Sequence, residues 1–178
     1  KQLILEYSIS LLRKYDILNA YCSSDFGLIS ITFVNQNLNL ESNSVEATTR
    51  SLNKAISVDI LKKANISVPQ SRLIKPNQYF SPHTIKYPII IKPVNGSGSL
   101  GVSYVKSENE LESAILFARN ISKDIVIENF IDGYHIDVNG FFANNLFYKG
   151  GQLQRFFSPL PNRYPIWGYQ PTNLDNRI

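Results

Sequence analysis

The chain holds a single cysteine, Cys22, among 178 residues. A lone thiol excludes an internal disulfide framework and a cysteine-based zinc site. Cys22 itself reads as a small, partly buried side chain rather than a nucleophile. No run reaches the roughly eighteen apolar residues that a membrane-spanning helix needs. Nor does a basic stretch followed by an apolar core open the sequence, so no secretory signal is read and a cytoplasmic location is expected. Lysine and arginine never cluster. The formal net charge of +4 therefore suits an anionic small molecule and gives no sign of a nucleic-acid groove. Carboxylates thin out late in the chain: no glutamate follows Gly151, and Asp175 stands alone there. With 43% hydrophobic and 18% charged residues, the composition is that of a soluble globular protein, and the length allows one domain or two small ones.

What is present centres on Tyr87 to Ser107, YPIIIKPVNGSGSLGVSYVKS. Ile89, Ile90 and Ile91 favour extended backbone because branching at Cβ suits a pleated surface. Lys92 interrupts the run, and Pro93 keeps the residue before it extended. Asn95-Gly96-Ser97-Gly98-Ser99-Leu100-Gly101 then makes a glycine-rich turn, and Val102, Tyr104 and Val105 restore strand character. Successive amides in such a turn can cradle phosphate oxygens, with a neighbouring lysine as point charge. A tight hairpin whose glycines serve geometry alone, with Lys92 reaching solvent, fits the same stretch. Gly96, Gly98 and Gly101 match G-x-G-x-x-G, but a strand and not a helix follows, which excludes the dinucleotide form. No Gly-Lys-Ser/Thr closes the loop, so the Walker form fails as well. The protein-kinase form places its lysine after the loop and adds His-Arg-Asp, which is missing here. A strand–loop–strand flap remains.

Around it, residues 1–13 suggest a short amphipathic helix with Leu3, Ile4, Tyr7, Ile9, Leu11 and Leu12 on its apolar side. Leu28 to Val34 reads as a strand, with Ser23 to Gly27 before it either a turn or a helix cap. Asn35 to Ser44 reads as a loop. Thr48 to Asn65 is one helix by its spacing of Leu52, Ile56, Ile60, Leu61 and Ala64, with Asn65 capping its end. Ser71 to Ile74 is a short strand and Pro76 to His83 a turn-rich link. Glu110 to Asn120 is a helix with Leu111, Ala114, Ile115 and Ala118 inward and Ser107 as cap. Asp124 to Glu128 is a strand. His135 to Phe142 and Leu146 to Lys149 form a hairpin about Asn144-Asn145, ended by Gly150-Gly151, and Gln154 to Phe157 is a further strand. From Pro159 onward a loop is expected, anchored by Trp167 and Tyr169. This order implies an α/β (α+β) fold with much antiparallel sheet.

Three segments together resemble an ATP-grasp domain, the nucleotide-binding unit of ATP-dependent carboxylate–amine or carboxylate–thiol ligases and of biotin-carboxylase-like enzymes. They are Asn53-Lys54 with Leu61 to Pro69, then Tyr87 to Val94 with the glycine loop, then Ile125 to Gly133. The resemblance runs from about Glu46 to Gly151. It implies a small α/β lobe with an antiparallel strand–loop–strand flap, plus part of a second sheet lobe. The division it implies is residues 1–45 as the remnant of an N-terminal α/β domain, 46–125 as linker helix and first lobe, and 126–178 as an incomplete C-terminal lobe.

The resemblance also implies a set of nucleotide contacts. Lys54 and Lys92 would meet the phosphates, and Asn95, Gly96, Ser97, Gly98, Ser99 and Gly101 would form a mobile loop over them. Glu128, Asn129 and Ile131 would hold adenine, with Ile91 and Phe130 as ring neighbours or plain core. His135 stands where many members carry the glutamate that holds ribose, so it is either a ribose contact or a half-buried strand histidine. ATP is the implied cofactor, and an unidentified carboxylate the implied substrate, activated as an acyl phosphate. Magnesium is implied for a longer parent, yet its usual late glutamates are missing and no metal ligand or catalytic residue is assigned. Arg155 maps to no family position and suggests a surface ion pair. The chain thus reads as a fragment of a ligase. Alternatively it is an incomplete nucleotide-binding or scaffold module, acting as a homodimer or with a complementing chain, away from nucleic acid and membrane.

Overall fold

The computed structural model describes residues 2–78, 81–159 and 164–169. Four helices lead: α1 (Gln2–Leu12), α2 (Asp25–Asn37), α3 (Val45–Leu52) and α4 (Lys54–Lys63). Strands β1 (Ser71–Ile74), β2 (Ile89–Pro93) and β3 (Ser103–Val105) precede α5 (Leu111–Arg119), and β4 (Ile125–Asn129) follows it. Then come β5 (His135–Ala143), β6 (Leu146–Phe157) and β7 (Pro165–Tyr169). The strands make two antiparallel sheets, one in the order β1-β4-β2-β3 and one in the order β5-β6-β7. The expected mixed architecture, flap included, is the one observed. The division drawn at residue 125/126 falls at the start of β4, a strand that belongs wholly to the first sheet.

The core lies between that sheet and α5. Ile74, Ile89, Ile91, Ile125 and Ile127 turn one way and meet Leu111, Ala114 and Ala118, with Ile115 packed at the margin. The alternation of β2 is complete: Ile89, Ile91 and Pro93 are buried, while Ile90 and Lys92 emerge on the opposite face. Because successive strand residues point to opposite sides, burying the isoleucines under α5 commits Lys92 to the other face. Ahead of α5, a single helical turn (Glu108–Glu110) follows Ser107, whose side chain makes no capping bond. Glu110 instead accepts a hydrogen bond from the Lys106 amide (2.7 Å).

Several expectations are corrected. Leu28 to Val34 is part of helix α2, not a strand, and the helix continues to Asn37 into the tract expected as loop. Its β-branched residues favour strand only weakly, and tertiary packing overrides that preference. Val34 is fully buried, Thr32 meets Thr48 of α3, and the Asn35 amide donates to the Ala20 carbonyl (2.7 Å) and to Asn19. The helix over 48–65 is two helices broken at Asn53, whose extended backbone ends α3 and whose side chain accepts from the Ile56 amide (3.0 Å) to start α4. The spacing of apolar residues runs through this break, which is why it reads as one helix. Ile56, Ile60 and Leu61 remain 40%, 39% and 39% exposed, so that stripe is not a core face.

Asn65 does end α4, at φ 58°, with the Asn65 and Ile66 amides donating back to Lys62 and Leu61. Helix α1 forms as expected, but only Leu5 of it is buried.

Gly150-Gly151 does not end a strand. β6 runs through it, with Gly151 opposite Asn139 and Lys149 opposite Gly140, so Gly150 is the extra residue of a bulge. Finally, the expected C-terminal loop contains strand β7. Pro165 can open this strand because it lies at the sheet edge, and Trp167 stacks on its cross-strand neighbour Phe156 with ring centroids 4.0 Å apart. Asp175 lies outside the described residues.

The Asn53 break aims α4 and thereby Lys54. Asn53→Ala is expected to lower stability by about 1 kcal/mol through the lost cap, and Asn53→Asp to lose far less. Urea denaturation of the two variants checks this.

Candidate functional site

A cavity of about 440 Å³ opens on the face of the first sheet away from α5. Lys92 and Ile90 reach it from β2, Glu128 and Asn129 from β4, and Lys54 from the first turn of α4. Gly96, Ser97, Gly98 and Ser99 of the loop wall it, as do Ile131 and His135 on the way into the second sheet. Ten of the twelve residues expected to contact the phosphates, adenine or ribose thus line one space. Asn95 and Gly101 do not. Asn95 is exposed outside the cavity, and Gly101 is buried beneath the loop.

The charged groups are tied together. Lys92 Nζ donates to Glu128 Oε1 at 2.5 Å, and only 21% and 10% of the two side chains is exposed. The pairing follows from register: Ile90 lies opposite Glu128, so Lys92, two residues on, is its diagonal neighbour on the same face. Glu128 Oε2 is buried and finds no hydrogen-bond donor among the described residues. Such an orphan acceptor costs roughly 1–3 kcal/mol and marks a place where a ligand N–H would be welcome. Lys54 Nζ donates to the Gly96 carbonyl (2.8 Å), and its own amide donates to the Val94 carbonyl (3.0 Å), so both ends of this residue clasp the start of the loop. Burial, followed by the nearby Lys92 charge, holds the Lys54 pKa below its ordinary value of 10.5, and Asp25 and Glu128 offset this in part.

The loop bends through Gly96 (φ 128°), Gly98 (φ 64°), Ser99 (φ 59°) and Gly101 (φ 73°). Gly101 is the tight point: a Cβ there would stand 3.0 Å from Ile121 and 3.3 Å from both the Ala118 backbone and Pro93. Gly98 has open space around it. Gly101 therefore anchors the loop to α5, and Gly98 belongs to its free part.

Sequence reasoning missed Ile90, Pro69, Leu100, Val102 and Phe157, all of which line the cavity. Ile90 could have been found from parity, since it shares a strand face with Lys92. Ile91, a candidate ring neighbour, is fully buried core, and Phe130 does line the cavity, in edge contact with Tyr104 (4.8 Å). Phe157 packs against His135 (ring centroids 4.8 Å), a contact between two strands that the sequence leaves far apart. His135 is exposed, with its Nε2 3.8 Å from Asp137 Oδ1. Arg155 donates to the other Asp137 oxygen and does not line the cavity, so it forms the ion pair expected of it.

The profile of the D-ala D-ala ligase C-terminus family matches residues 55–146, just over half of the chain. The chain belongs to this family, which is an ATP-grasp family. Among curated relatives, the D-alanine–D-alanine ligase of Geobacter sulfurreducens is 30% identical over 96 residues, 53% of this chain and 30% of that protein. The ligase of the same name from Sulfurovum sp. is 31% identical over 134 residues, 75% of this chain and 36% of that protein. The chain thus spans about a third of the length of these curated relatives. Among solved structures, the L-amino acid ligase of Bacillus licheniformis superposes with a TM-score of 0.73 at 20% identity, over 88% of this chain and 37% of that one. That likeness supports the ATP-grasp fold and no more.

Two tests follow for this ATP-grasp cavity. Gly101→Ala is expected to destabilise the fold by roughly 2 kcal/mol or more, through left-handed strain and overpacking together. Gly98→Ala should cost only about 1 kcal/mol, and thermal or urea unfolding separates the two. The lowered Lys54 pKa means that the unfolded chain binds more protons than the native one between the folded value and 10.5. Stability therefore rises with pH across that window, and comparison of Lys54→Met with the native protein should show this part of the slope removed.

Proposed function

We propose that this chain is the ATP-binding portion of an ATP-dependent ligase that activates a carboxylate as an acyl phosphate. One observation carries the reading: two lysines, a left-handed glycine loop and a buried carboxylate with a free oxygen all face one cavity. Lys54 and Lys92 supply positive charge for a polyphosphate, and Gly96 to Ser99 lie where its oxygens would be covered. Glu128 Oε2 suits an exocyclic amine, and the extended chain at Asn129 to Ile131 offers backbone groups to the edge of a base. His135 stands at the cavity wall as a partner for a ribose hydroxyl.

In the reaction so proposed, a carboxylate oxygen attacks the terminal phosphorus and ADP leaves. An amine then displaces phosphate from the acyl carbon. The names of the relatives suggest an amino acid as the source of that carboxylate. Lys92 and the loop would stabilise charge on the group in transfer.

A magnesium ion does not fit the residues in hand. Among the described residues, no group of three His, Cys, Asp or Glu side chains could hold a metal.

Calorimetric titration tests the proposal. ATP is expected to bind the native chain, and Lys92→Met to weaken it by about tenfold or more, the loss of a charge-assisted hydrogen bond. No heat at millimolar ATP overturns the nucleotide reading. Binding that depends on Lys92 but ignores magnesium favours the alternative, an incomplete nucleotide-binding module paired with another chain.

A further inference from the structure

A second cavity, of about 330 Å³, lies where β1 and β4 meet the segment leading into β2. Its apolar lining includes Ile89 and Ile127, only 1% and 7% exposed, which also belong to the core packed on α5. Around them stand Arg72 of β1 and Lys86, with the hydroxyls of Ser71 and Thr84. No carboxylate lines this space. Some cations of the described residues pair with acids, as in Arg50–Glu46, Lys63–Asp59 and Arg155–Asp137. Neither Arg72 nor Lys86 has a salt-bridge partner among the described residues.

Two exposed cations beside one concave space repel each other unless an anion sits between them. The planar guanidinium of Arg72 can take a carboxylate by two parallel bonds, Lys86 adds a point charge, and the hydroxyls add donors. Ile85, Ile89 and Ile127 in the lining suit a short apolar body, beside the side-chain amides of Gln70 and Asn129. The volume is at the low end for small-molecule sites, roughly 300–1,000 Å³. We propose that this cavity binds a small organic anion, a carboxylate carried on a short apolar body. The inference does not rest on the nucleotide reading, although Asn129 lines both cavities and the two are therefore neighbours across β4.

Hexanoate is the probe, followed by amide chemical shifts in the labelled full chain. Saturable shifts are expected at Arg72, Thr84, Lys86 and Ile127, with a dissociation constant in the millimolar range suited to so small a ligand. Arg72→Gln combined with Lys86→Gln should raise that constant about tenfold or more. Both residues are exposed, so the native spectrum should persist in the double variant. Lys92→Met should leave hexanoate binding unchanged, and 1-hexanol, the uncharged counterpart, should bind markedly more weakly. The proposal is overturned if hexanoate shifts nothing, if the double variant binds as the native chain does, if hexanol binds equally well, or if Lys92→Met abolishes the effect.

Discussion

The antiparallel register of β2 against β4 is the constraint on which the rest depends. Ile89 and Ile91 on one strand, and Ile125 and Ile127 on the other, must all lie under α5. Once they do, the pleat leaves Ile90, Lys92 and Glu128 no choice but the opposite face. A slip of one residue would carry a lysine into the core and an isoleucine into the cavity, and no partner for the buried ammonium exists there. Hydrophobic burial thereby fixes the position of the charged pair. The pair itself need contribute little to stability, because desolvation offsets much of its attraction.

That arrangement anchors the cavity wall where charge is held and leaves it more exposed where the loop covers it. Gly101 is locked between α5 and Pro93, and Lys54 clasps the carbonyl of Gly96. Between those two anchors, Ser97 to Leu100 carry the exposed part of the flap, held by short turn bonds such as that from the Leu100 amide to Ser97. Membership of the D-ala D-ala ligase C-terminus family agrees with this design, since it assigns the chain to the ATP-grasp fold.

Much of the site was legible because its residues are local in sequence or repeat with a simple period. Lys92 before the glycine loop, and Glu128 at the end of an isoleucine-valine run, announce themselves in a few positions each. Helix α2 was not legible, since Leu28 to Val34 carries β-branched residues and owes its helical state to contacts with Ala20 and Thr48. The break at Asn53 was hidden for a related reason: the apolar spacing is continuous across it, and only the capping bond to Ile56 reveals the second helix. Strand β7 was missed because its cohesion comes from Trp167 stacking on Phe156, a cross-strand contact with no local period to read.

The amino-acid order alone determined the flap, the extended state of β2 and β4, and the chemical types available to the cavity, because strand propensity and glycine geometry are local properties. Tertiary structure decided which of those residues meet. It placed Phe157 beside His135, put Ile90 rather than Ile91 in the cavity, and separated Asn95 and Gly101 from the other loop residues. Those choices depend on which side of the sheet α5 covers and on how the second sheet approaches the first. Contacts between distant segments set both, and no local pattern encodes such contacts.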